Sequence, residues 1–212
     1  MLRQLHRWLE EERPGATVVY INKELLDFKD ITNAEELHDY VSPKFAPGGD
    51  NYLLIDEVQD IEGYEDALRS LQAEDCCQIV ATESNAYIFS SELGTRLAGR
   101  YVEIPVYCLS YREFLEFHGL EDSDESLRDY LRVGGLPGLR HYDIKDEIYV
   151  RDYLQGVYNT IMMRDVVARE QIRNVPFIEN LSGFIADIDG RLISVNSIVN
   201  HMKSRGIRFP VR

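Results

Sequence analysis

Two adjacent acids, Asp56 and Glu57, are the residues best placed to do chemistry, because they abruptly end the apolar run Tyr52-Leu53-Leu54-Ile55. In open α/β sheets ligands gather beyond the carboxyl ends of the strands, so the polar residues that follow each apolar run come first. An apolar strand ending in Asp-Glu suits nucleotide hydrolysis: the aspartate helps hold Mg²⁺ and the glutamate orients or polarises the attacking water. The same pair also fits helix capping or a solvated turn. A second apolar run at residues 78–82 ends in Glu83-Ser84-Asn85, where Ser84 and Asn85 could sense a terminal phosphate or simply form a turn. Further on, Arg96 and Arg100 could stabilise transition-state charge from the same or a neighbouring subunit, or pair with the abundant acids.

Other side chains offer less. Cys76, Cys77 and Cys108 have neither a disulfide framework nor zinc-ligand spacing and read as small buried hydrophobes. The five histidines are scattered, with no spacing that suggests a metal site or a nucleophile's base.

The elements that must position these residues alternate. An apolar stripe of Leu2, Leu5, Trp8 and Leu9 predicts a helix stopped by Pro14-Gly15. A β-branched run at 16–21 predicts a buried strand, and a helix follows over 33–41 with Thr32 or Asn33 as its cap. Strands are then expected at 52–55, 78–82 and 101–106, helices at 64–73 and from Ser90-Ser91-Glu92-Leu93 onward. Short apolar strands alternating with helices indicate a parallel sheet covered on both faces. After Leu109 the pattern turns helical: 111–117, a helix to about Val133, a Gly134-Gly135-Leu136-Pro137-Gly138 breaker, and one or two amphipathic helices over 146–170.

The 212 residues carry 23 Lys and Arg against 37 Asp and Glu, a net charge of −14, with 44% hydrophobic residues. That composition fits one or two soluble globular domains and excludes disorder, and no apolar run approaches the roughly 18 residues of a membrane span. The N-terminus lacks the pattern of a secretory signal, so a cytoplasmic address is expected, without a membrane partner. Residues 1–150 carry a net −17 and residues 151–212 a net +3. An acidic first part repels phosphate backbones, so any DNA contact, weak at best, is expected from the C-terminal third.

The stretches at residues 52–59, 81–86, 90–104 and 109–115, with Gly134-Gly135-Leu136-Pro137 and residues 158–167 and 172–175, resemble the prokaryotic AAA-type (P-loop) ATPases that carry a C-terminal domain of unknown function. The resemblance implies an α/β core built on a parallel sheet, at residues 1–118. A mainly helical region is expected at 119–212, with an incomplete winged-helix-like segment from about residue 192. It implies a Walker B pair at Asp56 and Glu57, with Asp56 holding Mg through water. It also implies a sensor position at Ser84 or Asn85, arginine contacts at Arg96 and Arg100, and ATP and Mg as cofactors of full-length relatives. Relatives usually have glycine where this chain has Glu83, which adds negative charge near the expected phosphate site.

The phosphate loop G-x-x-x-x-G-K-[ST] does not occur in these residues; none of the five lysines follows a glycine. By the resemblance, Met1 is expected to fall just past that loop and Arg212 to fall where the second helix of a winged helix would begin. The strand before the loop is expected between 78–82 and 101–106, so an open or re-paired seam is expected there, inviting strand addition by a partner or another copy. The reading is of an incomplete ATPase, by itself inactive and binding neither ATP nor Mg. The alternative is a non-catalytic interaction module that keeps the scaffold for docking. A nucleic-acid enzyme using Asp56 and Glu57 as metal ligands ranks below both.

Overall fold

The computed structural model describes residues 1–84, 100–168, 172, 174–188, 190 and 192–206. Two compact units divide the chain, Met1–Pro105 and Val106–Arg212. The division falls ahead of the boundary expected at residue 118, because Phe114 is buried in the core of the second unit.

In the first unit three strands, β1 (Thr17–Asn22), β2 (Asn51–Asp56) and β3 (Gln78–Ala81), form a parallel sheet in the order β1-β2-β3. The register sets Asn22 opposite Asp56 and Ile55 opposite Ala81, which brings all three carboxyl ends to one edge. As the central strand, β2 is buried on both faces and reads as a continuous apolar run. Its Leu53 and Ile55 join Val19 and Ile21 in the core beneath helices α2 (Ala34–Val41) and α3 (Tyr64–Ala73). Leu54 alternates to the opposite face, the side on which α1 (Leu2–Glu12) packs against β1 and β2 through buried Leu2 and Leu9.

Local chemistry fixes these elements. Asn33 caps α2 by accepting the Glu36 N–H at 3.0 Å, and Glu36 reaches back to the Thr32 N–H at 2.7 Å and hydroxyl at 2.8 Å. The Asn51 amide ties the start of β2 to the carbonyls of Ala46 and Cys76, both at 2.8 Å.

One expected strand is absent. Residues 101–106 form no ladder; Tyr101 packs on the core, but Val102 is 87% and Ile104 78% exposed. Alternating β-branched residues suit a strand, yet a strand is stable only when paired, and among the described residues nothing pairs with this segment or with the outer edge of β3. The helix start expected at Ser90-Ser91-Glu92-Leu93 lies outside the described residues.

The second unit is helical: α4 (Tyr111–His118), α5 (Asp124–Val133), a 3₁₀ turn at Pro137–His141, α6 (Glu147–Thr160), α7 (Val175–Asp187) and α8 (Val195–Ser204). Ser110 and Glu113 form a capping box that opens α4, and Ser123, Asp146 and Ser194 cap α5, α6 and α8. The segment expected as helix over 146–170 changes at Ile161 into a π-helical stretch that runs to Ala168. Gly135 lies so close to Leu109 that a Cβ there would stand 2.1 Å from the Leu109 carbonyl oxygen; the Leu109 N–H donates to the Gly135 carbonyl at 2.8 Å. Phe114, Val133, Leu139, Ile144 and Val150 form this unit's core.

The cysteines depart from expectation. Cys76 and Cys77 are half-buried, but Cys108 is exposed, because it lies in the extended connection before α4 rather than in an element with a buried face. Burial and the neighbouring Cys76 push the Cys77 thiol up to about 12.

Candidate functional site at the carboxyl ends of the strands

Beyond Asp56 the backbone turns sharply. Glu57 adopts φ 59° and ψ 53°, a left-handed conformation unfavourable for a side-chain-bearing residue, and a 3₁₀ turn follows at Val58–Asp60. That turn is pinned to the end of β3: the Thr82 N–H donates to the Ile55 carbonyl at 2.8 Å and the Val58 N–H to the Thr82 carbonyl at 3.0 Å. Fully buried Val58 and Ile61 anchor it from below. Strain of this kind persists only where the surroundings over-determine it, and here two main-chain bonds and two core side chains do so.

Side chains connect the acids into one network. The Thr82 hydroxyl donates to Asp56 Oδ1 at 2.5 Å and accepts the Glu57 N–H at 3.3 Å. The other carboxylate oxygen, Asp56 Oδ2, accepts from the Tyr20 hydroxyl at 3.3 Å. Tyr20 in turn accepts from the Asn22 amide at 3.4 Å and stacks on His6 of α1, with ring centroids 5.5 Å apart. Asn22, 2% exposed, is itself held by the Glu24 N–H at 2.9 Å. Neutral hydroxyls therefore orient Asp56, and its remaining lone pairs stay available for a hard cation or its waters.

Glu57 is held from its other side by Gln59, whose Nε2 donates to Glu57 Oε2 and to the Ser84 hydroxyl at 3.3 Å. Next to Ser84, Glu83 accepts from the Tyr64 hydroxyl at 3.3 Å. Burial raises the Tyr64 phenol, and the charges of Glu83 and Glu65 raise it further, so it stays a neutral donor. Lys23, the lysine next to the carboxyl end of β1, is committed elsewhere: its Nζ donates to the carbonyls of Phe28 and Ile31, each at 2.6 Å. Among the described residues no lysine or arginine pairs with Asp56.

Of the residues singled out in the sequence, the structure gathers Asp56, Glu57 and Ser84. Asn85 and Arg96 lie outside the described residues. Arg100 does not join the cluster within one chain. Its carbonyl accepts from Gln72 Nε2 at 2.8 Å, at the C-terminal end of α3, which leads into the amino end of β3 and so lies across the sheet from Asp56. Thr82, Gln59 and Tyr20 complete the network. Only Thr82 carried a sequence signal, its place at a strand end; Gln59 and Tyr20 reach the site through a turn and a register that local pattern does not encode.

The donor set is carboxylate and hydroxyl oxygen, suited to a hard divalent cation such as Mg²⁺ and unsuited to a thiophilic metal. Among the described residues no three His, Cys, Asp or Glu side chains cluster as a complete metal cage. Mg²⁺ usually keeps several waters and shares its shell with substrate phosphates, so a two-carboxylate site fits it.

A parallel sheet flanked by helices, with its polar network at the carboxyl ends, defines an α/β architecture of the kind that gathers ligands at those ends. A family model described as "AAA domain" matches residues 1–115, and the chain belongs to that family of P-loop ATPase-like proteins. It is similar to an uncharacterized protein of Haemophilus influenzae, 28% identical over 213 residues that cover 98% of this chain and 52% of the relative. An uncharacterized protein of Methanocaldococcus jannaschii is 28% identical over 200 residues, covering 87% of this chain and 44% of that protein. The chain thus spans about half the length of the curated relatives it matches. Among the described residues no helix is long and apolar enough to cross a membrane.

Proposed function

We propose that this chain carries the magnesium-and-water side of an AAA-type ATP-hydrolysing site. Asp56 holds Mg²⁺ through water, and Glu57 orients the water that attacks the terminal phosphate. Ser84, with Asn85, senses that phosphate. Arg96 contacts the site from the same or a neighbouring copy, and Arg100, set across the sheet within its own chain, from a neighbouring copy. The observation that carries the reading is the Thr82 hydroxyl, which bridges the Asp56 carboxylate and the Glu57 backbone at the carboxyl end of the central strand. ATP and Mg are the cofactors expected of the family's full-length members. When bound, Mg²⁺ would neutralise charge developing on the phosphoryl oxygens. This chain's own residues supply its water ligands' partners and a base-side carboxylate.

The other half of such a site is a glycine-rich loop and a lysine, and no G-x-x-x-x-G-K-[ST] pattern occurs in these 212 residues. The described residues also leave Asp56 without a cation. By itself the chain therefore binds Mg-ATP no tighter than the millimolar range and does not turn it over. Isothermal titration calorimetry with Mg-ATP tests this; clear micromolar binding would overturn it.

A second reading is a docking module that keeps the scaffold without catalysis. Val102 and Ile104, exposed in an unladdered segment, favour it. It predicts a defined oligomer in light scattering, with the apolar pair at its contact. Val102→Asp with Ile104→Asp would leave the oligomer unchanged if the reading is wrong.

A further inference from the structure

We propose that Gln59 is a positioning residue that ties the Glu57 carboxylate to Ser84, so that the water-orienting acid and the phosphate-sensing hydroxyl move as one. The inference rests on the reading of Asp56 and Glu57 as the magnesium-and-water side of the site. The geometry is specific. One amide nitrogen carries two protons, and here it faces two acceptors, Glu57 Oε2 and Ser84 Oγ. A carboxylate only accepts, so the amide must present its nitrogen to Glu57. The opposite orientation would set carbonyl oxygen against carboxylate oxygen. The consequence is visible on the other amide atom: Gln59 Oε1 is buried and, among the described residues, has no hydrogen-bond partner. An amide that needed only a satisfied place in the fold would not leave its carbonyl bare; this one is oriented by what its nitrogen holds.

The base of the tether is rigid. Gln59 springs from the 3₁₀ turn whose Val58 N–H is fixed to the Thr82 carbonyl at 3.0 Å and whose Asp60 N–H returns to the Glu57 carbonyl at 3.1 Å. Glu57, which opens the same turn, is itself held in the left-handed conformation. Swinging the Glu57 carboxylate therefore requires either that the Gln59 amide follow it or that the bond break. If the amide follows, Ser84 loses or changes its donor. Ser84 begins the stretch that leads to Asn85 and Arg96, so a change at the terminal phosphate reaches Glu57 through one side chain. A single amide thus links residues that lie on two different strands' ends.

The test uses the 212-residue chain labelled with ¹⁵N and compares wild type, Gln59→Glu and Gln59→Ala. Gln59→Glu keeps size and shape but has no donor at pH 7; a folded spectrum from it excludes collapse of the turn. MgCl₂ in large excess, enough to begin filling a site that retains no Mg²⁺ at ordinary concentrations, is expected to shift the backbone amides of Glu57 and Ser84 together in wild type. In both variants the Glu57 response is expected to persist while the Ser84 response is lost. A Ser84 response that survives in Gln59→Glu overturns the tether. If Mg²⁺ shifts neither Asp56 nor Glu57 in wild type, the magnesium reading itself fails, and the tether is then judged without metal. Glu57→Gln should shift the Ser84 amide in the wild-type background but not in the Gln59→Ala background. Equal shifts in both would overturn it.

Discussion

Replacing Thr82 by valine removes one oxygen from the centre of the site and almost nothing else, because the two side chains share a branched shape. Two bonds go with it: donation to Asp56 Oδ1 at 2.5 Å and acceptance of the Glu57 N–H at 3.3 Å. A hydrogen bond to an ionised acceptor contributes about 1.5–3 kcal/mol net, and a neutral one about 0.5–1.5 kcal/mol. Thr82, Asp56 and Glu57 are all half-buried, so water takes over part of each role and the lower ends of those ranges apply. The expected loss is about 2 kcal/mol, or roughly thirtyfold in the folding equilibrium constant. Urea unfolding followed by fluorescence reads this in the correct unit, since Trp8, the chain's one tryptophan, sits on α1 in the first unit. Thr82→Ser, which keeps the hydroxyl, should recover most of the loss. In the Asp56→Asn background the Thr82→Val cost should shrink, because the charge that strengthens the shorter bond has gone. A Thr82→Val cost below about 0.5 kcal/mol, the edge of ordinary surface substitutions, would refute the assignment of Thr82 as the bridge.

The second unit gives a paired glycine experiment: Gly135→Ala places a Cβ 2.1 Å from the Leu109 carbonyl oxygen and should unfold or severely destabilise that unit. Gly156→Ala, with open space around the site in the interior of α6, should stabilise it by about 0.5–1 kcal/mol in thermal melts. Burial lowers His118 below its usual 6.5, so the unfolded chain takes up this proton first. The stability this histidine gives is full above pH 6.5 and is lost as pH falls from there through the lowered folded value, a slope that hydrogen exchange in α4 should show and His118→Phe should flatten. A thiol reagent at pH 8 should label exposed Cys108 well before Cys77, whose thiol is pushed up to about 12; equal rates in peptide mapping would contradict the burial assigned to Cys77.

What could be read from the sequence follows from how local each signal is. The run Tyr52-Leu53-Leu54-Ile55 ending in Asp56-Glu57 announces a buried strand and its polar end within six residues, and the structure supplies both. The helix at 64–73 and the cap at Asn33 are legible for the same reason, since each rests on neighbours within one turn. Residues 101–106 alternate without forming a strand, because alternation is a property of a segment while a strand is a property of a pair. The role of Gln59 has no local signal, because its reach depends on the left-handed turn at Glu57, which no glycine or asparagine flags. Tyr20 has none either, because only the β1-β2 register sets it near Asp56. Arg100 had the right chemistry, but the Gln72 bond to its backbone sets it across the sheet, a placement decided by α3 rather than by its own surroundings.

Calorimetric titration of the purified 212-residue chain with Mg-ATP tests the central claim most directly. If the chain holds the magnesium-and-water side of the site without the phosphate cradle, the heats stay at the dilution baseline through the micromolar range, and Asp56→Asn changes nothing in that trace. A saturable isotherm with a micromolar dissociation constant, abolished by Asp56→Asn, would contradict it, because these residues would then hold the triphosphate without a glycine-rich loop.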